Sequence, residues 1–407
     1  MRSWESRPVE PAPGRGPRPR LRMADGTLRQ VGPDTGAARL YACGITPYDA
    51  AHLGHAFTYV CVDLLHRAWL DADLGVVYAQ NVTDVDDPLL ERAAATSVDW
   101  RALAQAQTEV FRHDMSALAV LPPTALAGVV ESLDDVVAMV ERLAEVGRAY
   151  RVGTPDENGQ GADDWYFAFD ESAAGLGAGD DLIALFAERG GDPDRRGKRH
   201  RLDSLLWRAE RPGEPAWDTP LGRGRPGWHV ECAAIAVKAL GSDFDVQAGG
   251  RDLAFPHHPM SAQQAEAATG RPFAEAFMHV GMVGLDGVKM STSLGNLVFV
   301  HQLLDDGVDP MAVRLLLLSH HYAADWDYSP ALLARSRERL ERWRAAFARP
   351  AGASAGPVLE AVRSAIGDDL DAPAALAVVD RWSAENGGDA DAPRAVAGLV
   401  EALLGVR

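Results

Sequence analysis

Arg39-Leu-Tyr-Ala-Cys-Gly-Ile45, an apolar run at helical spacing from Phe57 to Leu70, and Gly75-Val-Val-Tyr-Ala-Gln-Asn-Val82 read in turn as strand, helix and strand. Together they form one βαβ unit. The alternation returns further along, with a helix over Trp228 to Leu240, a strand over Asp243 to Ala248 and a strand over Phe277 to Val283. Two such halves predict an α/β fold built on one doubly wound, Rossmann-like parallel sheet. Ligands of such sheets sit at the carboxyl ends of the strands, near a topological switch point.

Five stretches follow from this reading. Residues 1–36, rich in Pro and Arg, are expected to form an extended N-terminal arm, because proline fixes φ and removes a backbone donor. Residues 37–120 and 201–297 are expected to be the two halves of the Rossmann-like domain, and 121–200 a connecting insertion. Within that insertion, Glu157 to Asp164 and Ala173 to Asp181 read as Gly- and Asp-rich surface loops. From Val298 the periodicity is helical, with a buried run over Met311 to Leu318 and a helical stem and bundle through 298–407. The helix from Ala331 to Arg349 carries six Arg against two Glu and reads as a solvated basic face.

Composition narrows the function. The chain of 407 residues is 47% hydrophobic and 24% charged, as expected of a globular protein of two to three domains. Its net charge is −18, so attraction to nucleic acid would have to come from a local patch. The three cysteines, Cys43, Cys61 and Cys232, are too few and too widely spaced for a disulfide framework and fit a reducing, cytoplasmic compartment. No apolar h-region opens the chain, and no run reaches the roughly 18 apolar residues needed to cross a bilayer.

Three constellations carry chemistry. Cys43-Gly-Ile-Thr-Pro-Tyr-Asp-Ala-Ala-His52-Leu-Gly54-His55 lies where a strand runs into a helix, where unpaired N–H groups, a close-approaching glycine and two imidazoles suit phosphate oxygens. A histidine-containing helix cap is the structural alternative. Gly287-Val-Lys289-Met-Ser291-Thr-Ser293-Leu-Gly295-Asn296 is a hydroxyl-rich loop in which Lys289, Ser291 and Ser293 could close over a triphosphate. Cys43, Cys232 and His257 together offer two thiolates and an imidazole, a set suited to Zn²⁺; buried structural cysteines are the other reading.

In this order and about 230 residues apart, the first two segments resemble the HIGH and KMSKS signatures of class I aminoacyl-tRNA synthetases. Tyr41-Ala-Cys-Gly, Gly227-Trp-His-Val-Glu-Cys232 and Phe255-Pro-His-His258 resemble the zinc-site segments of cysteinyl-tRNA synthetases. Ser3-Trp-Glu-Ser-Arg-Pro-Val9, Gln80-Asn-Val-Thr-Asp-Val-Asp-Asp-Pro88, Glu188-Arg-Gly-Gly-Asp-Pro193 and Leu205-Leu-Trp-Arg-Ala209 resemble the mycothiol-pathway cysteine ligases, paralogues of those synthetases. This likeness runs from Ser3 to about Leu404.

The resemblance implies a class I synthetase type of sheet and an ATP-dependent, AMP-forming ligase. ATP and L-cysteine would give cysteinyl adenylate and pyrophosphate; the amine of glucosaminyl-inositol would then displace AMP. It implies one Zn²⁺ on Cys43, Cys232 and His257, Mg²⁺ with ATP, and His52, His55, Lys289, Ser291 and Ser293 at the phosphates. Cys43, Gly44, Ile45, Thr46 and Thr58 would line the adenylate pocket, with Asn81, Val82, Thr83 and Trp228. Gly250, Arg251, Asp252 and Val283 would complete it at the nucleotide. The partners are small molecules, with neither nucleic acid nor membrane, and a monomer is expected.

Three departures matter. The family glutamate four residues after the ligand histidine is Ser261 here, so either His258 compensates or three ligands suffice, with water in the free position. Thr292 stands in place of a phosphate-facing lysine. Arg251 replaces a small residue, and could either offset that lost charge or crowd the pocket. A short cysteinyl-tRNA synthetase is the competing reading, opposed by the 34 residues that follow Pro373; an inactive paralogue is another.

Overall fold

A hairpin opens the chain where proline content predicts none: β1 (Arg20–Arg22) and β2 (Leu28–Gln30) pair antiparallel. The computed structural model describes residues 1–154, 162–170, 180–290 and 295–407. The arm expected to be extended over 1–36 is thus part sheet, and it is tied to the body. Trp4 is buried, donates its indole N–H to Val120 O at 2.8 Å and meets Phe111 edge-on. Arg22 reaches Asp369, and Arg363 reaches back to Pro13 O and Asp71. Proline excludes ladder positions only where an N–H is needed, and 20–30 contains none.

The centre of the molecule is a five-stranded sheet, all of whose pairs are parallel. β3 (Ala37–Ile45) leads through α1 (Leu53–Asp71) to β4 (Gly75–Val82). α2 (Asp87–Thr96) and α3 (Trp100–Ala117) then lead to β5 (Ala125–Gly128). After α4 (Leu133–Glu145) a second, antiparallel sheet forms from β6 (Ala149–Gly153), β7 (Asp163–Phe167), β8 (Ser204–Ala209) and β9 (Gly224–Pro226), with α5 (Asp180–Glu188) between β7 and β8. The chain returns through α6 (Trp228–Leu240), β10 (Phe244–Gly250), α7 (His257–Thr269) and β11 (Ala274–Val280). The order β11-β10-β3-β4-β5 puts the switch point between β3 and β10, whose carboxyl ends carry Cys43 and Gly250.

Sequence readings of several elements shift. Phe277 to Val283, read as one strand, is two. β11 ends at Val280, and β12 (Val283–Leu285) joins a small sheet with β13 (Val288–Lys289) and β14 (Trp326–Tyr328). At Gly281 the chain passes so close to Ala324 that a Cβ would stand 2.1 Å from its carbonyl oxygen. β14 also interrupts the stretch read as wholly helical after Val298. Asp163 and Asp164, read as loop, begin β7; residues 157–161 and 173–179 of those loop readings lie outside the described residues.

The helical half comprises α8 (Val300–Asp305), α9 (Pro310–Leu318), α10 (Pro330–Phe347), α11 (Ala355–Gly367), α12 (Ala372–Ala384) and α13 (Ala392–Leu399). α1 is buried along nearly its whole length, between the sheet on one side and this half on the other. Each large apolar side chain so buried contributes about 1.5–3 kcal/mol. α1 thereby fixes its own N-terminus, His52-Leu-Gly-His55, at the open end of the crevice.

Candidate functional site

Cys43 stands near the end of β3, Cys232 in the second turn of α6, and His257 at the first position of α7. Their donor atoms all lie within 4.8 Å of one another, and all three side chains are buried. This is the one such group among the described residues. α6 can start so close only because Gly227 has no side chain: a Cβ there would be 2.1 Å from Leu205 O.

Buried imidazoles surround the three donors. His257 Nδ1 meets His229 Nδ1 at 2.9 Å, while His257 Nε2 is buried with no hydrogen-bond partner. Trp228 stacks on the His257 ring at 4.3 Å. Cys43 Sγ faces His258 Nε2 at 3.4 Å and accepts from Gln247 Nε2 at 3.6 Å; His258 Nδ1 in turn meets His279 Nε2 at 2.9 Å. Burial pushes His229, His258 and His279 down to about 3, and drives His257 well below the ordinary imidazole range, with its histidine neighbours adding to the effect. Burial thus favours the neutral form of all four rings. A hydrogen bond with Cys43, then burial, pushes the Cys232 thiol well up. A soft cation bound there would offset the penalty that holds the Cys232 thiol protonated.

The donor set fits zinc. An orphaned buried nitrogen beside two thiols is what a ligand histidine offers, and a second hydrogen-bonded ring fixes its orientation. Ser261 spends its hydroxyl on His257 O at 2.5 Å, and His258 stands outside the convergent group, so three protein donors converge.

The two segments expected at the phosphates meet through the backbone. Leu53 N donates to Val298 O and Val300 N to Ala51 O, both near 3 Å, so the chain leaving the 289–296 loop is stitched beside the start of α1. His52 is a helix cap, its Nδ1 accepting from Gly54 N at 3.0 Å, and its ring stacks on His55 at 4.0 Å. The cap reading and the phosphate reading thus share one residue. Ser291 and Ser293 lie outside the described residues, as do Thr292 and the side chain of Lys289.

In the expected adenylate pocket, Asn81 is a brace. Its Oδ1 accepts from Gly44 N at 2.7 Å and Tyr41 OH at 3.0 Å, and its Nδ2 donates to Thr83 Oγ1 at 3.1 Å. Ile45, Val82 and Thr83 are buried, Thr46 is half-buried, and the Thr58 hydroxyl turns back to Gly54 O. Gly250 ends β10 and Asp252 follows in a short 3₁₀ turn. Val283 is buried in β12, beside a cavity of about 440 Å³ lined by Met282, Gly284, Asp325, Trp326 and Asp327. Arg251 points to that side: it donates to Asp325 Oδ2 at 2.7 Å and to Ala323 O, while Asp325 Oδ1 accepts from Met282 N. Its guanidinium is already paired. Sequence reasoning missed Tyr41, His229, Gln247, His279 and Asp325. The segments Gly227-Trp-His and Phe255-Pro-His-His contain both rings of the His229–His257 pair but only one ring of the His258–His279 pair.

Comparison with known proteins gives the lineage. The family described as tRNA synthetases class I (C) catalytic domain matches residues 31–338. Proteins named L-cysteine:1D-myo-inositol 2-amino-2-deoxy-alpha-D-glucopyranoside ligase are similar end to end. That of Kineococcus radiotolerans is 56% identical over 100% of this chain and 99% of its own length, and that of Cellulomonas flavigena 56% over 100% of both. Methionyl-tRNA synthetase of Mycobacterium tuberculosis bound by methionyl-adenylate superposes with a TM-score of 0.65 at 15% identity, covering 91% of this chain and 92% of that one. The agnB2 LeuRS of Agrobacterium radiobacter K84 gives 0.63 at 12% identity, covering 92% and 83%. The two superpositions establish the fold, and the end-to-end identity places the chain in the class I tRNA synthetase (C) family, within its group of L-cysteine:1D-myo-inositol 2-amino-2-deoxy-α-D-glucopyranoside ligases.

Proposed function

We propose that the protein joins L-cysteine to the amine of glucosaminyl-inositol at the expense of ATP, through cysteinyl adenylate, as a step in mycothiol biosynthesis. The observation that carries this reading is the full-length identity, 53–56%, to ligases of that name. In this reading the cytoplasmic enzyme uses 37–120 and 201–297 as the halves of its catalytic fold, 121–200 as a connecting insertion and 298–407 as a helical stem.

The chemistry follows from the residues. Cys43, Cys232 and His257 would hold zinc, which when bound supplies a soft acceptor for the substrate thiolate and so favours cysteine over serine. Trp228, stacked on His257, walls the cysteine side, with Thr83 held in place by Asn81. His52 and His55 stand at the start of α1, where backbone N–H groups and imidazoles suit the phosphates of ATP with its Mg²⁺. Lys289, Ser291 and Ser293 would stabilise charge developing on the leaving pyrophosphate. Adenylation converts the carboxylate into a mixed anhydride with AMP as leaving group, and the sugar amine then attacks that carbonyl.

The test is AMP formation by the purified chain from ATP and L-cysteine, comparing glucosaminyl-inositol with tRNA as acceptor. Turnover that depends on the sugar supports the ligase. Turnover that depends on tRNA would make the chain a short cysteinyl-tRNA synthetase, and turnover with neither would make it an inactive paralogue.

A further inference from the structure

Glu188-Arg-Gly-Gly-Asp-Pro193 lies in the insertion, yet one of its side chains reaches the catalytic sheet. The Arg189 guanidinium donates through Nη1 to two backbone carbonyls, those of Asp252 and Phe255. These carbonyls lie between the nucleotide end of β10 and the start of α7. Asp252 is one of the residues expected at the nucleotide, and Phe255 is two residues before His257.

The rest of the motif holds Arg189 in that position. Asp192 is anchored to the second sheet, accepting from Tyr166 OH and from Lys198 Nζ at 2.9 Å. Gly190 turns the chain out of α5 with φ +87°, and Gly191 lies against the Phe186 ring, where a Cβ would stand 2.5 Å away. Phe186 packs in an apolar cluster with Phe255 and Met260, so α5 rests on the same segment that Arg189 bonds. The apolar cluster already joins the two parts. What Arg189 adds is a directed charge on two carbonyls of a short, irregular segment.

We propose that Arg189 is a positioning residue that fixes residues 252–257, so that Asp252 at the nucleotide and His257 at the metal-binding group keep their relative placement. The inference rests on the adenylate-and-zinc reading of the site. Loss of its donors loosens both ends of one segment, and binding of nucleotide and of metal weaken together.

The test uses the full chain as wild type, Arg189→Met and Arg189→Lys. Methionine keeps an unbranched stem against the apolar cluster and removes the donors; lysine keeps a charge but lacks the planar fork. Three quantities are measured: the dissociation constant of α,β-methylene-ATP by calorimetry, the rate of zinc release to a chelator, and KM and kcat of cysteine-dependent ATP–pyrophosphate exchange. A charged hydrogen bond is worth about tenfold in an equilibrium constant. For Arg189→Met we therefore expect at least about a fivefold weaker nucleotide and a fivefold faster zinc release. Arg189→Lys should fall between, and KM should rise more than kcat falls. If only one of the two ligands is affected, or neither, or if kcat falls with both binding constants unchanged, Arg189 has no positioning role. Should wild type bind the analogue and hold zinc but show no exchange, the adenylation reading fails, while the binding comparison still decides the role of Arg189.

Discussion

Arg314→Met removes the cation at the centre of a buried cluster that fastens the middle of α1 to the helical half. Arg314 and Asp63 have side chains with no solvent exposure. Arg314 donates to Leu404 O at 2.6 Å, to Leu118 O at 2.8 Å and to Asp63 Oδ2; Asp63 also accepts from Arg67 Nε at 2.7 Å and Leu121 N at 2.8 Å. Methionine replaces the stem and none of the bonds. Breaking a buried pair costs about 3–5 kcal/mol. Arg67 still neutralises Asp63, which moves the charge penalty to the low end, but two stranded carbonyls add about 1–3 kcal/mol each before relaxation. The low end of the pair cost with the smallest carbonyl penalties gives an expected net loss of about 5 kcal/mol, read as the shift of the urea midpoint in tryptophan fluorescence. Burial alone would raise Asp63, but Arg67, Arg314 and the Leu121 amide together hold its carboxyl below the usual carboxylate range. The folded pKa is thus below the unfolded value of about 3.9, so this stabilisation is complete above that pH and is lost as pH falls through the folded pKa. The difference between wild type and variant should be flat from pH 5 to 8 and narrow below about 4. A loss under about 1 kcal/mol at neutral pH, or a difference that narrows on the alkaline side instead, would refute the reasoning.

Protein purified without added metal should carry about one zinc per chain, and Cys232→Ala should lose it in a colorimetric chelator assay; unchanged content would remove Cys232 as a ligand. Gly44→Ala places a Cβ 1.6 Å from Asn81 O, and should reduce cysteine-dependent pyrophosphate exchange at least about 100-fold; near-normal exchange would show that the strand end can shift. Arg251→Ser should change the KM for ATP by less than about fivefold, because Arg251 spends its charge on a half-exposed pair with Asp325. A rise of about 100-fold would mean that the guanidinium reaches a phosphate after all.

What could be read from the sequence was whatever depends on local periodicity. β3, α1, β4, α6 and α9 lie on apolar runs whose spacing has one interpretation, and each stands within a few residues of its expected bounds. The split at Gly281 was not legible, because it is imposed by the close approach of Ala324, 43 residues on. The hairpin at 20–30 was hidden by the prolines around it. At the site, residue types announced the three donors, yet the rings that orient them pair across 28 residues, His229 with His257, and 21 residues, His258 with His279. Spacing of that kind has no period to detect. Arg189 was hidden for the same reason, since its acceptors are backbone carbonyls, which leave no mark in side-chain identity.

The convergence itself depends on one irregularity in β3. Side chains alternate along a strand, and Leu40 and Ala42 face the apolar layer that contains α1, while Tyr41 and Cys43 face the layer that contains α6. Continued alternation would send Gly44 to the α1 layer and residue 45 to the other. Instead Ile45 packs in the α1 layer, and the pairing with β4 shifts register between Ala42 and Ile45. The extra residue is a bulge, and it sits where Cys43 must face Cys232 and His257. A bulge leaves a backbone N–H without its ladder partner, and Asn81 on β4 supplies one by accepting from Gly44 N. The same amide oxygen takes Tyr41 OH, which lies on the sulfur side of the sheet. Asn81 therefore does not need to touch a ligand to matter. It stabilises the one distortion that lets a strand buried on both faces aim a cysteine into the crevice and still return its next apolar residue to the core.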